Sequence, residues 1–198
     1  MNTTMENIPN QPTCPNCPDP TNRINLTNDM RNVWMEHVYW TRMLIISIAE
    51  KLRDEKDVTT RLLQNPDDIA DIYSEYYPAS TAKTISDLLT EHLKIGAALI
   101  TALRDNDSAK AEELDRQWHV NADQIADAFS SINPYYNREI LHNMLNTHLD
   151  LTTQEAVMRI MENYPADIAT FGKVEQEALE MADYFTGGIT RQFPQLFR

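Results

Sequence analysis

A chain of 198 residues with a formal net charge of −13 and 42% hydrophobic residues can form one domain with its own core, and it lacks the clustered Lys and Arg that nonspecific nucleic-acid binding needs. Four glycines leave little material for tight β-turns, while Ala, Leu, Met, Glu and Gln supply helix formers, so an all-α fold is expected. No apolar run reaches about 18 residues, so no membrane-spanning helix is expected.

Residues 1–26 hold five of the ten prolines and few apolar side chains, and they read as a flexible Pro/Asn-rich arm. The arm has neither a basic n-region nor an apolar h-region, so no secretory signal is expected and the cytoplasm is the expected location. Within it, Cys14-Pro-Asn-Cys17 offers two thiolates, half of a tetrahedral zinc site. A homo-oligomer would join two halves into a four-cysteine site; an unliganded, redox-labile tail is the other reading. Residues 27–198 read as the bundle domain. Its first helix is expected to start after the capping cluster Thr27-Asn28-Asp29 and to run to about Glu55. Asn65-Pro66-Asp67-Asp68 starts the next, with Asn65 as cap, and this helix stops before Pro78. Four more are expected over Ser80–Arg104, Ser108–Ser131, Tyr136–Met161 and Pro165–Thr186, the last ended by Gly187 and Gly188. Ile189, Phe193, Leu196 and Phe197 then allow the tail to dock on the bundle. Acidic residues are spread along these helices, as in a solvated face.

An internal repeat organises the domain. His37, His92 and His148 are spaced by 55 and 56 residues, and each is followed after 32, 33 and 33 residues by a matching block, IADIY, IADAF and MADYF. Pro78 and Pro134 each precede the next histidine by 14 residues. The pattern predicts three tandem αα-hairpins, about six helices packed as one bundle, over 27–78, 79–134 and 135–198. Each histidine lies in an apolar stripe: Val33, Trp34, Trp40 and Leu44 around His37; Leu88, Leu89, Ile95 and Leu99 around His92; Met144, Leu145, Leu151 and Glu155 around His148. All three imidazoles should point inward. Packed about a pseudo-threefold axis they would offer three nitrogens and an open position to a divalent metal, zinc or iron. Packed side by side, each would stay in its own hairpin, and the spacing does not choose between the two.

Four residues before each block stand Asn65, Asn121 and Glu177, on the face opposite the histidine. An amide can meet an imidazole nitrogen and complete a buried polar layer; Asn121 and Glu177 are equally candidate ligands or supports of a metal. The carboxylate-rich pattern of di-iron bundles is missing, since no Glu-x-x-His occurs at these histidines. The block aspartates Asp71, Asp127 and Asp183 are expected to pair with Lys or Arg or to cap neighbouring helices, a like-charge cluster that binds a cation being the alternative. Arg42 has no counterpart in the other repeats and suits an anion or a salt bridge. Trp34, Trp40, Trp118, Tyr73, Phe129 and Phe185 read as packing. GxGxxG, a Walker loop, GxSxG and HExxH are all missing, which argues against an ATP-dependent or serine-triad enzyme.

In WMEHVYWTRMLIISIAE, LLTEHL, NADQIADAFSSINPYY, MLNTHLDLT and the closing RQFP, from about Val33 to Pro194, the chain resembles a family of small uncharacterised helical proteins of bacteria, some of which carry the label acetylglutamate kinase. The resemblance implies a helical fold and brings no activity or site. The kinase label conflicts with the residues, because such an enzyme needs a sheet with glycine-rich phosphate loops. DinB-like bundles, which hold a metal on a histidine triad, are a looser analogy without the same spacing. Three readings stay open. The protein binds a divalent metal or small ligand through the repeated histidines; it is a structural or protein-interaction module in which they form a buried polar layer; or it is a metal-assisted hydrolase with a nearby carboxylate as base.

Overall fold

A computed structural model describes residues 20–197, which form an all-α bundle of seven helices and one short 3-10 turn. The helices are α1 (Pro20–Ala49), α2 (Glu55–Leu62), α3 (Asn65–Ser74), α4 (Ala79–Arg104), α5 (Ser108–Ile132), α6 (Arg138–Ile160) and α7 (Tyr164–Gln192). The cysteine motif lies outside the described residues. Among those described, no helix is long and apolar enough to cross a membrane.

Helix α1 starts seven residues before Thr27, so the Thr27–Asp29 cluster sits inside it and not ahead of it (27 − 20 = 7). Thr27 Oγ1 donates back to the Arg23 carbonyl, and continuing the helix towards the N-terminus buries Leu26 against the aromatic core. The helix ends at Ala49, earlier than expected. Lys51 adopts φ 53°, and Leu52 N donates to Ser47 O at 2.9 Å, the closing bond of a left-handed helix end. The same ending recurs at Asn106 (φ 58°, Asp107 N to Ala102 O, 3.0 Å) and at Glu162 (φ 57°, Asn163 N to Met158 O, 2.9 Å). These left-handed residues stand 14 positions after His37, His92 and His148 respectively (51 − 37, 106 − 92, 162 − 148).

Pro66 separates α2 from α3. It has no N–H to give the Leu62 carbonyl, so one continuous return helix cannot form. Asn65 is not the cap expected of it; Gln64 holds that position and the Asn65 side chain reaches across to α1. The expected stop at Gly187-Gly188 is also corrected, because α7 passes through both to Gln192. The sequence signal was a tertiary one: a Cβ on Gly188 would lie 1.9 Å from the Tyr136 ring, so glycine there lets α7 approach that ring.

Helices α1, α4 and α6 contact one another at the centre, and α3, α5 and α7 lie outside them. Each outer helix spans two inner ones: α3 packs on α1 and α4, α5 on α4 and α6, and α7 on α6 and α1, which closes a ring. The interior is layered. Tyr73, Phe129 and Phe185, the last residues of the three blocks, meet with ring centroids 5.2, 4.6 and 6.3 Å apart, and Trp34 stacks on Phe185 at 5.4 Å. Beyond the histidines, a second cluster of Leu44, Ile45, Ile48, Leu62, Leu93, Ile100 and Ala156 closes the other end. The tail packs Phe193 and Phe197 on Tyr76, as its apolar residues suggest.

Candidate metal centre

Between the aromatic layer and the far apolar cluster, the three repeated histidines converge. His37 on α1, His92 on α4 and His148 on α6 are 2%, 3% and 3% exposed, with ring centroids 5.8 to 6.4 Å apart. One ring nitrogen from each lies within 4.8 Å of the other two, a group that could hold a metal ion.

The outer nitrogens fix what the inner ones are. His37 Nδ1 meets Asn65 Oδ1 at 2.9 Å, His92 Nδ1 meets Asn121 Oδ1 at 3.0 Å and His148 Nδ1 meets Glu177 Oε2 at 3.0 Å. The two amides are themselves oriented, since Asn65 Nδ2 donates to Val33 O at 2.8 Å and Asn121 Nδ2 to Leu88 O at 3.2 Å. Their oxygens therefore face the rings, and an oxygen can only accept. Nδ1 of His37 and of His92 must carry the proton and donate it, leaving Nε2 of these two rings as the bare nitrogen, while His148 Nδ1 is held by the Glu177 carboxylate. No protein hydrogen bond among the described residues reaches any of these Nε2 atoms.

Burial keeps the His37 and His92 rings neutral. It lowers His37 from 6.5 to about 4, with the neighbouring His148 adding to the effect and the Asn65 hydrogen bond opposing it. Burial likewise holds His92 well below the ordinary imidazole range, helped by His37 and His148. Two neutral imidazoles at physiological pH present lone pairs in place of protons.

The triad borders a cavity of about 20 Å³. Its walls include the residues one helical turn beyond each histidine, Thr41, Gly96 and Thr152, together with Leu44, Leu93 and Ile100. Gly96 is required there, because a Cβ would fall 2.9 Å from the Trp118 ring.

Arg42, one turn from the triad on α1, is engaged by two buried carboxylates. Its Nη1 donates to Glu155 at 2.5 Å and to Asp167 at 2.8 Å, and it lies over the Phe171 ring at 4.5 Å. Burial pushes the Glu155 carboxyl up to about 7 against the pull of Arg42. Asp127 and Asp183 pair with Arg138 and Arg31, as expected of the block aspartates. Sequence reasoning did not single out Thr41, Thr152 or Asp167, and it placed Glu155 only on the face of His148 without a role. The threonines could have been found at the fourth position after two of the three histidines. The two carboxylates, 113 and 125 residues from Arg42, carry no local signal. The chain matches no protein-family model, no curated protein and no solved structure.

Proposed function

We propose that this protein binds one divalent metal ion, zinc or iron, on Nε2 of His37, His92 and His148, with Asn65, Asn121 and Glu177 holding the rings from outside. The observation that carries this reading is the convergence of three buried imidazoles, each with one ring nitrogen within 4.8 Å of the other two and with Nδ1 already engaged by Asn65, Asn121 or Glu177. A layer built for packing alone would give both ring nitrogens a partner. Here the inward nitrogens have none from the protein among the described residues and border a small cavity, a place where one cation can meet all three. The outer contacts follow the pattern by which ligating histidines are oriented, and Glu177 supplies the carboxylate–histidine pairing that raises ligand basicity. Metal–nitrogen bonds of about 2.0–2.1 Å require the three nitrogens to sit about 3.3–3.5 Å apart, a small inward movement from the present spacing.

The adjoining space favours a binding site over a hydrolase for large substrates, which would need a cleft of about 300 Å³ or more. Elemental analysis of untagged protein purified without chelator tests the reading. The wild type is expected to carry about one zinc or iron per chain. The Cys14→Ser/Cys17→Ser variant should keep it, and folded His92→Gln and His37→Ala/His92→Ala/His148→Ala variants should lose it. Folded wild type that stays metal-free after reconstitution, or loses metal only with the cysteines, would contradict it.

A further inference from the structure

Three nitrogen ligands leave a divalent ion at least one open position, and the cavity at the triad shows what it can accept. Resting on the metal reading above, we infer that the open position faces this cavity and takes a small anion of one or two heavy atoms, with hydroxide or water there at rest, held by the hydroxyl of Thr41.

The residue one turn beyond each histidine lies in the cavity wall: Thr41 on α1, Gly96 on α4 and Thr152 on α6. Thr152 Oγ1 donates to the His148 carbonyl at 2.8 Å, the usual fate of a threonine hydroxyl inside a helix, and that engages its proton. Thr41 departs from this. Its Oγ1 is buried and has no hydrogen-bond partner among the described residues, which leaves an uncommitted donor beside the histidines.

Size sets the ligand class. A space of about 20 Å³ compares with the roughly 10–15 Å³ that one water needs, so it admits one or two heavy atoms and no ring. Leu44, Leu62, Leu93, Ala97 and Ile100 line most of the remaining wall, together with Trp118, whose Nε1 is likewise buried with no hydrogen-bond partner among the described residues, so the polar groups of the wall are the histidines, the threonines and that indole. An uncommitted donor in a lining residue favours an anion over neutral water, because hydrogen bonds to charged acceptors are the stronger. Thr41 and Ala97 are partly exposed and form the outer rim, the side from which a small ligand would enter.

Cobalt(II)-loaded protein gives the test, since the visible bands of the ion report its ligands. Cyanide should change the spectrum of the wild type, while imidazole at equal concentration should leave it unchanged. Thr41→Val, equal in volume, should keep one cobalt per chain and bind cyanide about tenfold more weakly. Ala97→Val, which adds bulk at the rim, should keep the cobalt and lose most of the response. If Ala97→Val fails to fold, the Thr41→Val comparison and the cyanide-against-imidazole comparison still decide. A cobalt-loaded wild type that ignores cyanide, responds equally to imidazole, or is unaffected by Thr41→Val overturns this inference and leaves the metal site standing. A wild type that takes up no cobalt overturns both.

Discussion

At the scale of single residues, the side chains behind the histidines set what the histidines can do. Replacing Asn121 with Leu strands the Nδ1–H of His92, a buried donor, and should cost about 1–3 kcal/mol in denaturant unfolding of chelated protein. Its metal affinity should fall about 10- to 100-fold in a chelator competition. Glu177→Gln separates the two effects. The amide oxygen still accepts from His148, so stability should change by less than about 1 kcal/mol, while loss of the negative charge should weaken metal binding about tenfold. Equal affinity losses and equal stability losses in the two variants would show that these side chains act only through packing. The pairs themselves were legible, because an amide or carboxylate stood at one fixed distance before each block. The free hydroxyl of Thr41 was not, since sequence does not tell a helical threonine that bonds back, as Thr152 does, from one that does not.

At the scale of elements, the helix ends and glycines separate local from tertiary causes. Lys51, Asn106 and Glu162 hold left-handed conformations that glycine adopts without a Cβ penalty, so Lys51→Gly and Glu162→Gly should each stabilise the protein by about 1 kcal/mol. Unchanged or lowered stability in urea unfolding would mean that the side chains there outweigh the backbone strain. The glycines of α7 should respond oppositely to one another. A Cβ on Gly172 meets nothing within 4 Å, so Gly172→Ala should gain about 0.5–1 kcal/mol. Gly188→Ala drives a methyl into the Tyr136 ring and should lose about 2–3 kcal/mol. Thermal unfolding of the two variants checks the contrast. This is also why the end of α7 was misplaced: Gly188, half of a pair that looks like a stop signal, makes room for a ring 52 residues away (188 − 136 = 52). The break at Pro66 was read as a helix start and was one, but the short α2 ahead of it carries no comparable mark.

At the scale of the whole molecule, an all-α bundle could be read from composition and the regular spacing of histidines, prolines and blocks. Whether the histidines met could not, because periodicity assigns a side chain to a face and says nothing about which faces share an axis. Their meeting has a consequence for acid stability. In metal-free protein, His37 at about 4 lies below its ordinary 6.5, so the unfolded chain binds more protons between those values and stability falls as pH drops from 6.5 towards 4, by about 3 kcal/mol for this group. His92 acts in the same direction. Glu155, raised from 4.5 to about 7, acts the other way, since the folded state holds its proton more tightly in that interval. Chelated Glu155→Gln protein should therefore lose more stability than wild type between pH 7 and pH 5; equal losses would remove Glu155 from the account. The central claim, that three buried imidazoles share one ion, is tested most directly by anomalous diffraction at the metal absorption edge on crystals of the metal-loaded protein. The account predicts one peak inside the bundle, about 2.0–2.1 Å from Nε2 of His37, His92 and His148. No peak there in fully loaded protein, with the three nitrogens bridged only by water, would contradict it.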